Sequence, residues 1–279
     1  MFPLRCPVRN CCLPLAVEGS TLRCERGHSF DRAREGYYSL AQPQDRKSKT
    51  PGDSDAAVLA RRRWLERGHM NSMAELIAEK LNAKFQNARP VLELGCGEGS
   101  LSKQIFAGHG QSDPAAGFCG VDLSKRAIRL SARHWNEASW ILANADRTLP
   151  IPDDSIGLVV SLFGRRPLSE IRRVLRAEGI ALFAVPGECD LIELREHVQS
   201  KGEKRDRVTS IVEDCERSRL VLIDRMTWQE RCHLNRDAIS DVLSMSYRAF
   251  RRSERERLAE LEQADVTLHA EILIVQKEV

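Results

Sequence analysis

Two groups of residues in this chain have the types and spacings that chemistry requires. The first is Cys6-x4-Cys11, with Cys12 adjacent, followed by Cys24-x3-His28. Two ligands on each of two tight turns, separated by the β-like segment Leu13–Leu22, close a tetrahedral Zn²⁺ shell. The spacing favours Cys11 in that shell and leaves Cys12 as a possible substitute. The second group is Gly95-x-Gly97-x-Gly99, which follows the apolar run Pro90-Val91-Leu92-Glu93-Leu94. Glycines let a backbone turn sharply and approach a ligand closely, and a helix after them presents free N–H groups. Asp122 closes the next apolar run, where a carboxylate can accept both hydroxyls of a ribose.

The elements that must position these residues alternate between helix and strand. Strands are expected at residues 90–94, 117–121, 139–143, 156–162 and 179–185, with helices at 73–85, 125–133, 168–175 and 190–199. Such alternation implies a parallel sheet with right-handed crossovers, an α/β Rossmann-like fold. Near the end of the chain, Leu220–Ile223, a helix near Asp237–Leu243 and Val266–Val275 fit closing antiparallel strands. Ser100 stands where a nicotinamide-binding loop wants glycine or alanine, and Glu93-x-Gly-x-Gly-x-Gly is the acidic-first form expected for S-adenosylmethionine. A third loop, Asn144 to Pro150, places Asp146 where this fold meets the amino edge of adenine. Capping a turn is the equal alternative for that residue.

Composition bounds the rest. The 279 residues are 42% apolar and 30% charged, enough for a sizeable core and incompatible with wholesale disorder. No apolar run approaches the ~18 residues of a membrane span, and Arg5, Cys6 and Arg9 interrupt any signal region, so a cytoplasmic protein is expected. An odd total of nine cysteines argues against a secreted disulfide framework. The net charge of +3 is uneven, with residues 1–69 carrying +5 and the remainder −2. Asp53 or Ser54 is expected to cap a helix reaching about Gly68 that bears Arg61, Arg62 and Arg63. Those arginines beside Tyr37, Tyr38 and Trp64 suggest an RNA partner, whose phosphates attract cations and whose exposed bases stack.

Several motifs together resemble a known family, the zinc-bearing methyltransferases that act on guanine N1 of bacterial 23S ribosomal RNA. The most specific are Cys24-Glu25-Arg26-Gly27-His28-Ser29-Phe30-Asp31, Glu35-Gly36-Tyr37 and Pro51-Gly52-Asp53-Ser54. Ala60-Arg61-Arg62-Arg63-Trp64-Leu65 through Gly68-His69, Leu94–Gly99 and Gly120–Lys125 extend the match over most of the chain. The resemblance implies a class I S-adenosylmethionine-dependent methyltransferase with a seven-stranded sheet and an N-terminal zinc module. Residues 1–40 would form the zinc and RNA-recognition module, 41–70 a basic linker and helix, and 71–279 the methyltransferase domain. It implies zinc on Cys6, Cys11, Cys24 and His28, and cofactor contacts at Gly97, Glu98 and Asp122, to which the loop readings above add Gly95 and Asp146. Cofactor contacts also map onto Met70, where relatives have tyrosine, and Asp190, where some have histidine. A 23S rRNA hairpin as substrate and a homodimer complete what the resemblance implies.

This chain departs from the family pattern at Gly164-Arg165-Arg166-Pro167 and at Met245-Ser246-Tyr247-Arg248. Both belong at the carboxyl ends of strands, where open α/β sheets bind substrate. Guanine N1 becomes nucleophilic as its proton leaves, which makes Asp190 and Glu188 candidate bases and Arg165 and Arg166 candidate stabilisers of the O6 charge. Two other readings fit the same residues: a methyltransferase for another RNA, a protein or a small molecule, and an RNA-binding protein without turnover.

Overall fold

Apolar runs such as Val91–Leu94 and Ile156–Leu162 are buried along their whole length, as parallel strands covered on both faces must be. The computed structural model describes residues 2–43, 52–107, 117–199, 206–245 and 251–278. Residues 44–51 of the expected surface loop, and Ser246–Phe250 with the departing motif there, lie outside the described residues.

The chain begins with a small antiparallel sheet of β1 (Ala16–Glu18), β2 (Thr21–Arg23) and β3 (Ser29–Asp31), followed by β4 (Tyr38–Ser39). Helices α1 (Asp55–Glu66) and α2 (Asn71–Lys84) come next, and Ser54 caps α1 by accepting from the Ala57 N–H at 3.2 Å. The alternating part then runs β5 (Val91–Leu94), α3 (Ser100–Phe106), β6 (Phe118–Asp122), α4 (Lys125–His134), β7 (Ser139–Leu142), β8 (Ile156–Leu162), α5 (Leu168–Val174) and β9 (Leu175–Pro186). It closes with α6 (Ile192–Val198), α7 (Val208–Arg217), β10 (Leu220–Asn235), α8 (Arg236–Met245), α9 (Arg252–Leu258) and β11 (Gln263–Lys277). Strand order across the large sheet is β10-β11-β9-β8-β5-β6-β7-β4, with β11 antiparallel to both neighbours and the others parallel. Among the described residues no helix is long and apolar enough to cross a membrane.

All seven expected strands are present, and the two-residue β4 adds an eighth beside β7. β10 extends far beyond the expected Leu220–Ile223 because the part after Ile223 carries Asp224, Arg225, Gln229, Glu230 and Arg231. One face of this edge strand meets solvent, so the apolar signal stops before the strand does. Helices α7 and α9 have no counterpart in the sequence reading; α9 has a single apolar residue, Leu258.

Side chains of the sheet alternate between two core layers. Val91, Leu158 and Leu182 pack with α1, α2, α3, α4 and α8, while Leu92, Val159 and Phe183 pack with α5 and α7. The second layer also contains Phe2, Leu4, Leu15, Leu22 and Leu40 from the N-terminal module. The crossover from β7 to β8 has no helix, and the module covers the sheet there. The Arg5 N–H donates to the Pro150 carbonyl at 3.0 Å, and the Leu40 N–H to Leu142 at 3.0 Å. Asp153 receives both Arg5 at 2.9 Å and Arg173 at 2.6 Å. The module is therefore part of the methyltransferase-like core rather than an appendage on a tether.

This arrangement corrects the reading of the basic aromatic cluster. Trp64, 4% exposed, and Tyr37, 5% exposed, belong to the core and offer no face for stacking bases. Arg61 pairs with Asp53 at 2.9 Å, Arg62 with Glu66 at 2.7 Å, and Arg63 with the buried Asp241. The helix is amphipathic, and its cations neutralise neighbouring carboxylates.

Candidate active site and metal centre

Cys6, Cys11, Cys24 and His28 converge, with every ligand atom within 4.8 Å of the others. His28 Nδ1 lies 3.4 Å from both Cys6 Sγ and Cys24 Sγ, and Cys11 Sγ lies 3.8 Å from Cys24 Sγ. Bonds of about 2.3 Å to sulfur and 2.0–2.1 Å to nitrogen in a tetrahedron give edges of about 3.5–3.8 Å, so the donor set fits Zn²⁺. Two backbone turns shape it: the Cys11 N–H donates to Val8 at 2.9 Å, and the Gly27 N–H to Cys24 at 2.8 Å. Arg26 Nη1 ties the turns together through the Asn10 carbonyl at 2.8 Å. Cys12 is exposed and outside the cluster, which decides between it and Cys11 as the convergent thiol.

The glycine loop leaves β5 with Gly95, Gly97 and Gly99 all at positive φ, of 71°, 58° and 84°. At Gly99 a Cβ would meet Trp140 Cη2 at 2.8 Å, so the indole beneath the loop excludes any side chain. Among the described residues beyond its chain neighbours, a Cβ at Gly95 would meet only Gly164 Cα, at 3.8 Å, which leaves a cradle for a ligand over that backbone. Asp122 is half-buried; its Oδ2 accepts from the Gly97 N–H at 3.0 Å and its Oδ1 from the Ser124 N–H at 2.7 Å. Burial raises its carboxyl, against those two N–H groups and the Arg61 charge. Each carboxylate oxygen retains a lone pair for a hydroxyl. Glu93, 2% exposed, is bonded by the Ser102 hydroxyl, and burial pushes its carboxyl up to about 8. Glu98 is buried and accepts from the Ser100 hydroxyl at 2.6 Å.

The segment before α1 packs on the turn after β6, and α1 itself reaches the glycine loop through Arg61. A Cβ at Gly52 would stand 2.6 Å from the Ser124 N, so only glycine lets the chain pass so close. The Ser124 hydroxyl donates to the Asp53 carbonyl at 3.4 Å, and Arg61 reaches 3.7 Å from the position a Gly97 Cβ would take.

The remaining expected residues are spread along the carboxyl edge of the sheet. Asp146 is exposed and bound at both oxygens by Arg165, at 3.0 and 3.1 Å. A cleft of about 290 Å³ opens beside this pair, lined also by Gly164, Arg166, Leu168 and Ile211. Met70, 9% exposed, packs in the core at the start of α2. Asp190 follows β9 in a half-buried turn, whereas Glu188 in the same turn is exposed. Asp122 and Asp190 follow strands three positions apart, a separation of roughly 14 Å across the sheet.

Sequence reasoning missed His269, Glu271, Glu193 and Thr267, which surround the Asp190 turn. A signal existed: polar residues inside the apolar run Val266–Val275 of an internal strand require buried partners.

A family model described as the zinc ribbon of RlmA, N-terminal, matches residues 4–49, and a methyltransferase-domain model matches residues 91–179. The chain is 30% identical over 250 residues to the 23S rRNA (guanine(748)-N(1))-methyltransferase of Streptomyces fradiae, covering 81% of this chain and 86% of that one. It is 29% identical over 284 residues to a Bacillus subtilis (strain 168) protein named as a candidate 23S rRNA (guanine-N(1)-)-methyltransferase, covering 98% and 96%. The solved structure of a candidate methyltransferase from Bacillus halodurans C-125 superposes with a TM-score of 0.51 at 11% identity, over 75% of this chain and 99% of that one, a likeness of fold alone.

Proposed function

Because this chain belongs to the family of 23S rRNA (guanine-N1)-methyltransferases that carry an N-terminal zinc ribbon, we propose that it moves a methyl group from S-adenosylmethionine to N1 of a guanine in 23S ribosomal RNA. The observation that carries the reading is a cluster of four side chains able to ligate one metal ion, docked on the same sheet as the glycine loop. Zinc on Cys6, Cys11, Cys24 and His28 would fix the two turns that hold the module's short strands. The exposed Arg9, Arg26 and Arg34 would then meet RNA phosphates. Residues 1–40 thus serve recognition, 41–70 cover the cofactor, and 71–279 hold it. A 23S hairpin as the recognised element, a homodimer and a cytoplasmic place of action belong to the same reading.

In that reading Asp122 accepts the ribose hydroxyls, Gly95 and Gly97 bring bare backbone against the cofactor, and Asp146 meets the adenine amino edge. Glu98 secures the loop through Ser100, and Met70 supplies apolar wall. Asp190 stands toward the methyl end rather than the ribose end. The sulfonium supplies an electrophilic methyl group, and the protein's task is to align it with N1.

The test uses purified holoprotein, labelled S-adenosylmethionine and 23S rRNA from a strain lacking the protein. Label in 1-methylguanosine after nuclease digestion supports the reading. Label on another base, or none with zinc bound and cofactor affinity intact, overturns it.

A further inference from the structure

We propose that Asp190 accepts the N1 proton of the target guanine and that His269 is the residue that positions it. The inference rests on the guanine-N1 reading above and names the proton acceptor for that same site.

His269 grips the turn after β9 at three points. Its carbonyl accepts from the Gly187 N–H at 2.8 Å, its N–H donates to Asp190 Oδ1 at 3.2 Å, and its Nδ1 accepts from the Cys189 N–H at 3.1 Å. The imidazole lies so close to Gly187 that a Cβ there would meet three ring atoms at 2.5 Å. Because Nδ1 accepts, the ring proton sits on Nε2, which faces Glu271 Oε1 at 3.3 Å. Glu271 is held in turn by Arg225 at 2.8 Å and by the Thr227 hydroxyl at 3.1 Å. Burial opposes its charge, but these partners keep the Glu271 carboxyl below the usual range. The far side of the turn is fixed by the Leu191 N–H on the Thr267 carbonyl at 2.7 Å and by Glu193 on the Thr267 hydroxyl at 2.6 Å.

This scaffold engages one oxygen of Asp190 and leaves Oδ2 without a hydrogen bond from a described residue. Arg195 donates to the carbonyls of Glu188 and Asp190, at 2.7 and 2.8 Å. The charged or titratable groups that face the carboxyl are Arg195 of α6, Arg207 before α7 and His269 of β11. Burial outweighs them and raises Asp190 to about 6, so it is mainly carboxylate at neutral pH and holds a proton better than an ordinary aspartate.

As N1 bonds to the methyl carbon, the carbon–sulfur bond breaks and its electron pair stays on sulfur. The N1 proton passes to Asp190 Oδ2 and then to water. The products are neutral 1-methylguanine, S-adenosylhomocysteine and one proton.

Single-turnover transfer from labelled S-adenosylmethionine to 23S rRNA, read between about pH 5 and 8, tests the assignment alongside cofactor affinity by calorimetry. For the natural protein the rate should rise with pH through about 6 and then level off. The near-isosteric Asp190→Asn should lose ~10²–10⁴-fold in rate and the acid limb, with cofactor affinity within about threefold. Asp190→Glu should recover part of the rate. His269→Ala should lower the rate about tenfold or more with KM for both substrates kept, and move the acid limb to lower pH as the turn opens to water; His269→Gln should recover part of this. A rate for Asp190→Asn within about threefold of the natural protein overturns the proposal, as does a loss of cofactor affinity that accounts for the whole rate defect. If the natural protein makes no 1-methylguanosine, the parent reading falls first; if it does and Asp190→Asn is unaffected, only this inference falls.

Discussion

Arg63 donates to both carboxylate oxygens of Asp241, a residue 178 positions away, from Nε at 3.0 and 3.3 Å. Arg67 adds a second guanidinium at 2.5 Å, and Asp241 is only 3% exposed. The pair clasps α1 to α8 and so holds the cover over the glycine loop. Removing the two sides should not be equivalent. Asp241→Ala leaves two arginines that reach water, whereas Arg63→Ala with Arg67→Ala leaves a buried carboxylate alone. The double arginine variant should lose about 3–5 kcal/mol by urea denaturation, and adding Asp241→Ala should restore part of it.

Zinc content separates the neighbouring thiols. Cys11→Ser should abolish stoichiometric zinc by metal analysis, and Cys12→Ser should leave it unchanged, because only Cys11 Sγ joins the cluster. Chelation should also lower the thermal midpoint of the whole chain in one transition. Phe2, Leu4 and Leu22 share a core layer with the sheet, so the module's loss exposes the methyltransferase half. Deleting residues 1–40 would consequently disturb the cofactor half too, and point substitutions at the exposed Arg9 and Arg34 give a cleaner measure of RNA affinity.

Stability should fall as pH rises from about 4.5 to about 8 and level off above that, and Glu93 should be a principal cause. Its carboxyl is raised from 4.5 to about 8 in the folded chain. Between those values the unfolded state has lost the proton and the folded state keeps it, so a rise in pH favours unfolding. The slope from this group is at most about 1.4 kcal/mol per pH unit. Glu93→Gln keeps an oxygen for Ser102 and removes the titration. Urea melts at several pH values should show a flatter profile for the variant, with the two proteins converging at low pH.

Cofactor affinity should depend on Asp122 more than stability does. Asp122→Asn keeps one acceptor oxygen for the backbone but removes the charge that ribose hydroxyls would meet. A loss of about 1.5–3 kcal/mol, roughly 10–150-fold in Kd by calorimetry, is expected. Because burial raises this carboxyl, affinity in the natural protein should weaken as acid protonates it. An unchanged Kd would remove Asp122 from the site.

The sequence alone determined what local chemistry decides. Gly95-x-Gly97-x-Gly99 after a buried strand requires a left-handed loop whatever surrounds it, and Cys6, one of Cys11 and Cys12, Cys24 and His28 are spaced for two turns around one ion. Strands that are apolar on both faces announce themselves by composition, which is why Ile156–Leu162 was legible to the residue. Tertiary structure alone decided the rest, because the partners lie far apart in the chain. A run of arginines at 61–63 looks like an RNA-binding face until Asp53, Glu66 and Asp241 arrive to neutralise it. Tyr37 and Trp64 look like stacking platforms until the core closes over them. Asp190 has no distinguishing neighbour in sequence; its position comes from His269, 79 residues onward, through bonds that form only when β11 pairs with β9.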